Sequence, residues 1–235
     1  MENDPKFLCY LDILGFKTRI DGKQFKECYE SIIEKVRRST FGSDIYCIAD
    51  SIIIIGENFR HLVDQGFAIY TTALSEGMFI RGAIAKGQVE EISSISPSEG
   101  VVVMPFLGEA YLKAYELEQS INCAGICLDE LVYKELEDDE RQLTFHYKEL
   151  FPKRGLEKEK IFLISNMDNW SVPQTILYKI SGQTHNLSNH DLLKFLDTFC
   201  LYYTVMRKKH QDTNNMERYQ DWWIAILDKL SSQNT

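Results

Sequence analysis

The sequence lacks a long hydrophobic run. Its longest apolar stretch in the N-terminal part, residues 51–55, is far shorter than the roughly 20 residues that a membrane-spanning helix needs. Residues 1–5 also lack the basic start and apolar middle of a secretion signal. These absences argue against membrane insertion and predict a cytoplasmic protein.

Cysteine pairs spaced for a zinc site are also missing. The six cysteines form no Cys-x-x-Cys pair, and Cys123 and Cys127 have no second pair that would complete four ligands. The cysteines lie in apolar or helical stretches, so we interpret them as buried free thiols. Neither structural zinc nor a disulfide framework is expected.

The chain has no excess of basic residues. It carries 26 Lys and Arg against 35 Asp and Glu, which gives a formal net charge of −9. Proteins that bind nucleic-acid polymers gain much of their affinity from contacts between basic side chains and phosphates, so no such partner is expected. An acidic protein can still bind a small triphosphate when metal ions supply the positive charge. Carboxylates therefore become the residues of interest.

Strand and helix patterns alternate along the chain, as expected of an α/β domain. The apolar run at residues 7–11 predicts a strand that ends at a turn with Asp12 and Gly15. Two β-branched halves around Asp50 predict a hairpin with a polar tip. Further strands are predicted at 78–89, 122–128, 143–147 and 160–164, and helices at 25–36, 59–76, 109–118 and 130–137.

Composition changes after residue 166. Residues 192–209 and 216–230 have the spacing of amphipathic helices. We therefore predict a main domain at residues 1–166 and a C-terminal helical appendage at 167–235.

Asp12 and Asp50 are carboxylates in otherwise apolar strand regions. A buried carboxylate without a partner is costly, so each needs a cation, a hydrogen-bond partner or solvent. If the two strands are neighbours, the side chains converge and can hold two divalent ions about 3.5–4 Å apart, as phosphoryl transfer requires. The alternative is that Asp12 caps the following helix and Asp50 only makes a turn.

Four short motifs follow one another along the chain, namely DILGF from Asp12, IADS around Asp50, IRGAIAKG around Arg81 and LGEAY around Gly108. Their order resembles that of the class III nucleotidyl cyclase catalytic domain. The resemblance covers residues 7–164. It implies an α/β fold of the α+β sandwich type, with a ferredoxin-like palm core, helices packed on a mixed, mainly antiparallel sheet, and the C-terminal helices as an addition.

The resemblance also assigns roles to residues. Asp12 and Asp50 would be the catalytic ligands of two divalent cations, Mg²⁺ or Mn²⁺, with Ile13 as a further ligand. A nucleoside triphosphate would be cyclised to its 3′,5′-cyclic monophosphate with release of pyrophosphate. The triphosphate would be bound by Leu14, Gly15, Phe16 and Lys153 or Arg154, although either of these last two could equally be an ordinary solvated charge.

The sequence differs from the family at the two residues that stabilise the transition state. Family members carry Asn and Arg four residues apart on the helix after Gly108, where this chain has Leu112 and Glu116. Another cation would have to take over this role. The candidates are Arg81, Lys86 and Lys113.

Base selection is expected at Tyr46 and Pro105. At the position that matches Tyr46, the adenylate cyclases of the family have Lys and the guanylate cyclases have Glu. At the second position, Pro105 has no side-chain hydrogen-bonding group. A phenol would shrink the pocket toward a smaller base. These features are similar to the pyrimidine cyclases of bacterial Pycsar antiphage defence, and they favour UTP over CTP.

The resemblance implies partners as well. Active sites would lie at the interface of a homodimer, and the cyclic nucleotide would act on a separate cyclic-nucleotide-gated effector protein. A purine cyclase of the same fold, or an inactive cyclase-like module that binds a nucleotide or a partner, are the alternatives.

Overall fold

The structure is a computed structural model that describes residues 4–14, 23–38, 42–76, 78–91, 106–121, 123–142, 144–146, 160–163, 197, 198, 201 and 224. The strands in these residues are β1 (Lys6–Leu14), β2 (Asp44–Ile48), β3 (Ser51–Gly56), β4 (Phe79–Gly87), β5 (Glu90–Glu91), β6 (Phe106–Leu107), β7 (Gly125–Leu128), β8 (Thr144–His146) and β9 (Ile161–Leu163). The helices are α1 (Lys23–Arg38), α2 (Phe59–Ser75), α3 (Glu109–Gln119), α4 (Glu130–Glu135) and α5 (Asp138–Arg141).

Seven strands form one mixed sheet in the order β2-β3-β1-β4-β7-β9-β8, and β5 pairs with β6 separately. Every neighbouring pair of the large sheet is antiparallel except β4–β7. The predicted α/β fold with a mixed, mainly antiparallel sheet is therefore confirmed.

Strand β1 lies near the centre of the sheet and carries different contacts on its two faces, because successive side chains of a strand point in opposite directions. On one face, Cys9 meets α2, where a methyl group added at Gly66 would lie 3.4 Å from the sulfur. On the other face, the ring of Tyr10 lies 5.9 Å from that of Tyr111 on α3. Asp12, two residues after Tyr10, shares the face that α3 covers.

The first strand is longer than the sequence predicted. We expected it to end before Asp12, but β1 continues to Leu14, whose Cα partner on β4 is Phe79. The neighbouring strands explain the difference, since β3 pairs with β1 as far as Asp12 and β4 as far as Leu14. Asp12 is therefore a strand residue with a strand on each side.

The hairpin and the capped helix agree with their sequence signals. A two-residue turn at Ala49 and Asp50 joins β2 to β3. Asn58 begins α2, and its side chain accepts a hydrogen bond from the backbone N–H of His61 at 3.1 Å. This is the usual contact of an Asn N-cap.

The predicted C-terminal helices lie mostly outside the described residues, so the domain boundary stays a prediction. Residues 197, 198 and 201 are helical; the hydroxyl of Thr198 accepts a hydrogen bond from the N–H of Ala124 at 2.8 Å, and Leu201 is fully buried. This segment packs against the sheet beside β7. No helix among the described residues has both the length and the apolar character needed to cross a bilayer.

Candidate active site

Asp12 lies between two strand neighbours. It is the Cα partner of Ser51 on β3 and of Arg81 on β4. Its side chain is 18% exposed, and its Oδ2 lies 3.6 Å from Nη2 of Arg81. The carboxylate therefore has a cation beside it and keeps part of its surface in contact with solvent.

The turn that contains Asp50 is tied to β1 and α1. The backbone N–H of Ile13 donates to the carbonyl of Asp50 at 3.0 Å. The hydroxyl of Tyr29 on α1 donates to the carbonyl of Ala49 at 2.8 Å. These bonds place the backbone of Asp50 beside the residue that follows Asp12. The role of both residues as metal ligands stays a prediction.

Two hydroxyl groups lie next to these carboxylates. Tyr10 and Ser51 form a hydrogen bond of 2.7 Å across β1 and β3. Burial raises the pKa of Tyr10 to about 12, and the hydrogen bond to Ser51 acts against this rise. The phenol therefore stays protonated at physiological pH and serves as a neutral hydrogen-bonding group beside Asp12.

Arg81 is held mainly by α3. Its Nε donates to the carboxylate of Glu118, and its Nη1 donates to the carbonyl of Ile121 at 3.0 Å. Glu118 is fully buried, and Gln119 donates to its other oxygen at 2.8 Å. Burial raises the pKa of the Glu118 carboxyl to about 7; the guanidinium of Arg81 opposes the rise and the charge of Asp12 adds to it.

Sequence reasoning missed Glu118, although a signal was present. The buried residues of α3 are Ala110, Ala114 and Glu118, which follow one another at intervals of four. This spacing places all three on one side of a helix. A carboxylate on a helix face whose other buried residues are alanines needs a buried cation as its partner. Arg81 is that cation.

Lys86 and Lys113 are not brought to Asp12 in the described residues. Lys86 is the Cα partner of Phe7, at the opposite end of β1, and its ammonium group pairs with Glu135. Lys113 pairs with Glu109 at 2.7 Å, and Glu109 lies beside the far end of β4. Of the three candidate cations, only Arg81 contacts Asp12, and it does so while bound to Glu118.

Tyr46 belongs to an aromatic cluster on the same face of the sheet as Asp12. Its ring centroid lies 4.9 Å from that of Phe106, whose ring lies 5.8 Å from that of Tyr111. Tyr111 and Tyr115 on α3 both contact Tyr10. The cluster therefore extends from Tyr46 to the residue two places before Asp12, and sequence reasoning missed it because its members come from four separate segments.

The remaining predicted site residues are distributed as follows. Leu14 is half-buried at the end of β1. Leu112, at the family's Asn position, is 59% exposed on α3, and Glu116, at the Arg position, is also exposed. Five predicted residues lie outside the described part of the chain, namely Gly15, Phe16, Pro105, Lys153 and Arg154.

The oxygen atoms near Asp12 fit a hard divalent cation. Within the described residues, no three His, Cys, Asp or Glu side chains gather as a metal-binding group. Mg²⁺ needs no such group, because it is commonly bound by one or two carboxylates together with substrate phosphates and water. Asp12, Asp50 and the carbonyl of Ile13 carry oxygen atoms of that chemical type, and their binding of a metal ion stays a prediction.

Comparison with solved structures shows which known fold this is. No protein-family model and no curated protein sequence matches the chain. A bacterial light-regulated adenylyl cyclase aligns with a TM-score of 0.50 and 12% sequence identity, over 73% of this chain and 57% of that one. The chain has the fold of a class III nucleotidyl cyclase domain.

Two further cyclases align at slightly lower scores. An adenylate cyclase from Trypanosoma brucei gives a TM-score of 0.49 at 12% identity, over 69% of this chain and 89% of that one. A guanylate cyclase domain from Catenaria anguillulae, solved with GTP, gives 0.46 at 9% identity, over 68% and 96%. The fold assignment rests on the bacterial adenylyl cyclase, and at 12% identity that similarity indicates no particular substrate.

Proposed function

We propose that the protein is a nucleotidyl cyclase that converts a nucleoside triphosphate to its 3′,5′-cyclic monophosphate and pyrophosphate. The observation that carries the proposal is the bond between the N–H of Ile13 and the carbonyl of Asp50, because it joins the two acidic segments on a cyclase fold. The 3′-oxygen would form a bond to the α-phosphorus. The bond from that phosphorus to the bridging oxygen of pyrophosphate would break, and the hydroxyl proton would be released.

Asp12, Asp50 and the Ile13 carbonyl would hold two Mg²⁺ or Mn²⁺ ions in this reaction. When bound, the ions supply the charge that lowers the pKa of the 3′-hydroxyl and neutralises the triphosphate. The role of Asp12 and Asp50 would be to hold the ions in place. Asp12 is set on a strand paired on both sides, while Asp50 is set on a turn bonded to β1 and α1.

For the base, we propose a pyrimidine, with UTP favoured over CTP. The proposal rests on Tyr46, whose ring centroid lies 4.9 Å from that of Phe106 at a tilted angle. In this proposal the ring reduces the space for a purine. The phenol can hydrogen-bond a small base, whereas the Lys and Glu of purine cyclases are absent. By the same resemblance, the product would be a second messenger for antiphage defence that acts on a separate cyclic-nucleotide-gated effector.

We also propose a homodimer with active sites at the interface. Leu107, Leu112 and Tyr115 are apolar and exposed around the start of α3, at 55%, 59% and 41%. Exposed apolar side chains in one region favour a protein–protein contact. A cytoplasmic location stays a prediction.

A second candidate function is an inactive cyclase-like module. Leu112 and Glu116 favour it, because neither can donate hydrogen bonds to a transition state as Asn and Arg would. A purine cyclase is a further alternative within the same fold.

Incubation with Mn²⁺ and each of the four labelled nucleoside triphosphates tests the proposal. We expect cyclic UMP as the main product and none when the metal is omitted. The variant Asp12→Ala should abolish the product, while Asp138→Ala, at a carboxylate whose side chain is 99% exposed, should match the wild type. Cyclic AMP or cyclic GMP as the main product would exclude the pyrimidine specificity, and no product from any nucleotide would favour the inactive module.

A further inference from the structure

Arg81 stands between two carboxylates that differ strongly in exposure. Asp12 is 18% exposed and faces solvent, whereas Glu118 is fully buried on α3. The side chain of Arg81 is 11% exposed. A cation in this position can pair with either acid.

The hydrogen bonds show which acid Arg81 favours. Two of its nitrogens are turned toward α3, where Nε donates to Glu118 and Nη1 donates to the carbonyl of Ile121 at 3.0 Å. Only Nη2 is directed at Asp12, at 3.6 Å, which is longer than a normal hydrogen bond. Gln119 donates to the second oxygen of Glu118, so this carboxylate is fixed on both sides.

The charges of the three side chains matter for a divalent cation. Asp12 and Arg81 alone would form a neutral ion pair, and a metal ion would have to displace the guanidinium from Asp12. With Glu118 ionised, the three side chains carry one positive and two negative charges. The charge of the guanidinium is then compensated by Glu118 and does not depend on Asp12.

We propose that Glu118 is a positioning residue that holds Arg81 toward α3 and cancels its charge, so that Asp12 can exchange the guanidinium for a divalent cation. The inference rests on the proposed function, which makes Asp12 a metal ligand. In this inference Arg81 controls the charge next to Asp12 and does not stabilise the transition state. It also links the position of α3 to the charge of the metal site.

The test is the affinity for Mn²⁺ itself, measured by electron paramagnetic resonance of free Mn²⁺ at pH 8, without nucleotide. We expect Glu118→Gln to weaken Mn²⁺ binding by about tenfold or more, because the uncancelled guanidinium then pairs fully with Asp12. The double variant Arg81→Met with Glu118→Gln should return to within about threefold of the wild type, since the three positions then have the same summed charge as in the wild type.

The matched control is Glu135→Gln, which breaks the ion pair with Lys86 at the opposite end of β4. It should leave Mn²⁺ affinity unchanged. A folded Glu118→Gln variant with wild-type affinity would overturn the inference. So would a folded double variant that binds Mn²⁺ as weakly as Glu118→Gln, because Glu118 would then act other than by neutralising Arg81.

Two further outcomes separate this inference from the proposed function. If wild-type protein binds no Mn²⁺ without nucleotide, the inference fails. If it also binds none with a non-hydrolysable UTP analogue, or if Asp12→Ala does not reduce binding, the metal site of the proposed function fails as well. If binding depends on Asp12 but not on Glu118, only the inference fails. Should Glu118→Gln not fold, the double variant decides, because it buries no unpaired charge, and its loss of Mn²⁺ binding would overturn the inference.

Discussion

Ile13 and Asp50 are joined by a backbone hydrogen bond of 3.0 Å, although they are 37 residues apart in sequence. The bond connects the end of the central strand β1 with the turn of the β2–β3 hairpin. Asp12, the neighbour of Ile13, is therefore held at a fixed position relative to the turn.

Asp50→Asn should reduce turnover without destabilising the fold. Asp50 lies in a turn that is bonded through its backbone, so the change from carboxylate to amide should shift the melting temperature little. Turnover should fall by at least about a hundredfold, because an amide cannot supply the negative charge that a divalent cation needs. Turnover and thermal melting should be measured on the same preparation; unchanged turnover would contradict the role of Asp50.

Ala49→Gly should stabilise the hairpin. Ala49 has a φ of 53°, a left-handed conformation that costs a residue with a Cβ about 1–2 kcal/mol. We expect urea unfolding to show a gain of up to about 1 kcal/mol, because glycine also loses more entropy on folding. The same substitution at Ala68, inside α2, should destabilise by about 1 kcal/mol, and equal effects at both sites would contradict the argument.

Glu118 should make the free energy of unfolding depend on pH. Its pKa in the folded protein is about 7, above the ordinary value of 4.5. Between these values the folded state binds more protons than the unfolded state, so this contribution to stability falls as pH rises from about 4.5 to 7. Urea unfolding of the wild type measures this loss. Between pH 5 and pH 8, the contribution of Glu118 to the free energy of unfolding should fall by up to about 3 kcal/mol. Glu118→Gln should show a smaller difference, and an identical pH dependence would contradict the assignment.

Tyr46 should control the choice of base. Tyr46→Ala removes the ring that contacts Phe106, so the ratio of UTP to ATP turnover should fall by about tenfold or more. Tyr46→Phe keeps the ring and removes only the hydroxyl, so it should keep the preference for pyrimidines while discriminating less between UTP and CTP. Competition assays with paired nucleotides measure both ratios. An Ala variant with unchanged ratios would show that the base binds elsewhere.

Leu112→Asp should weaken the proposed dimer. A charge is costly to bury in an apolar contact, so the variant should sediment as a monomer at concentrations where the wild type is dimeric. The control is Leu131→Asp, at a leucine of similar exposure (51%) on α4. Loss of the dimer in both variants, or in neither, would argue against an interface at α3.

Local patterns predicted the elements around the site well. The polar tip between two β-branched halves indicated the hairpin, and Asn58 indicated the start of α2 because its side chain caps a neighbouring N–H. The extent of β1 was predicted less well, because pairing with β3 and β4, rather than local composition, decides where it ends.

The sequence by itself determined which segments form strands and helices, and it placed Asp12 and Asp50 in polar positions that call for a charged partner. Only the tertiary structure decided which cation that partner is. Arg81, Lys86 and Lys113 look alike in sequence, but only Arg81 lies opposite Asp12, and Glu118 holds it from a helix 37 residues away. Side-chain periodicity is a local property, whereas the pairing of charges depends on strand order and on the packing of α3, which bring together residues far apart in the chain.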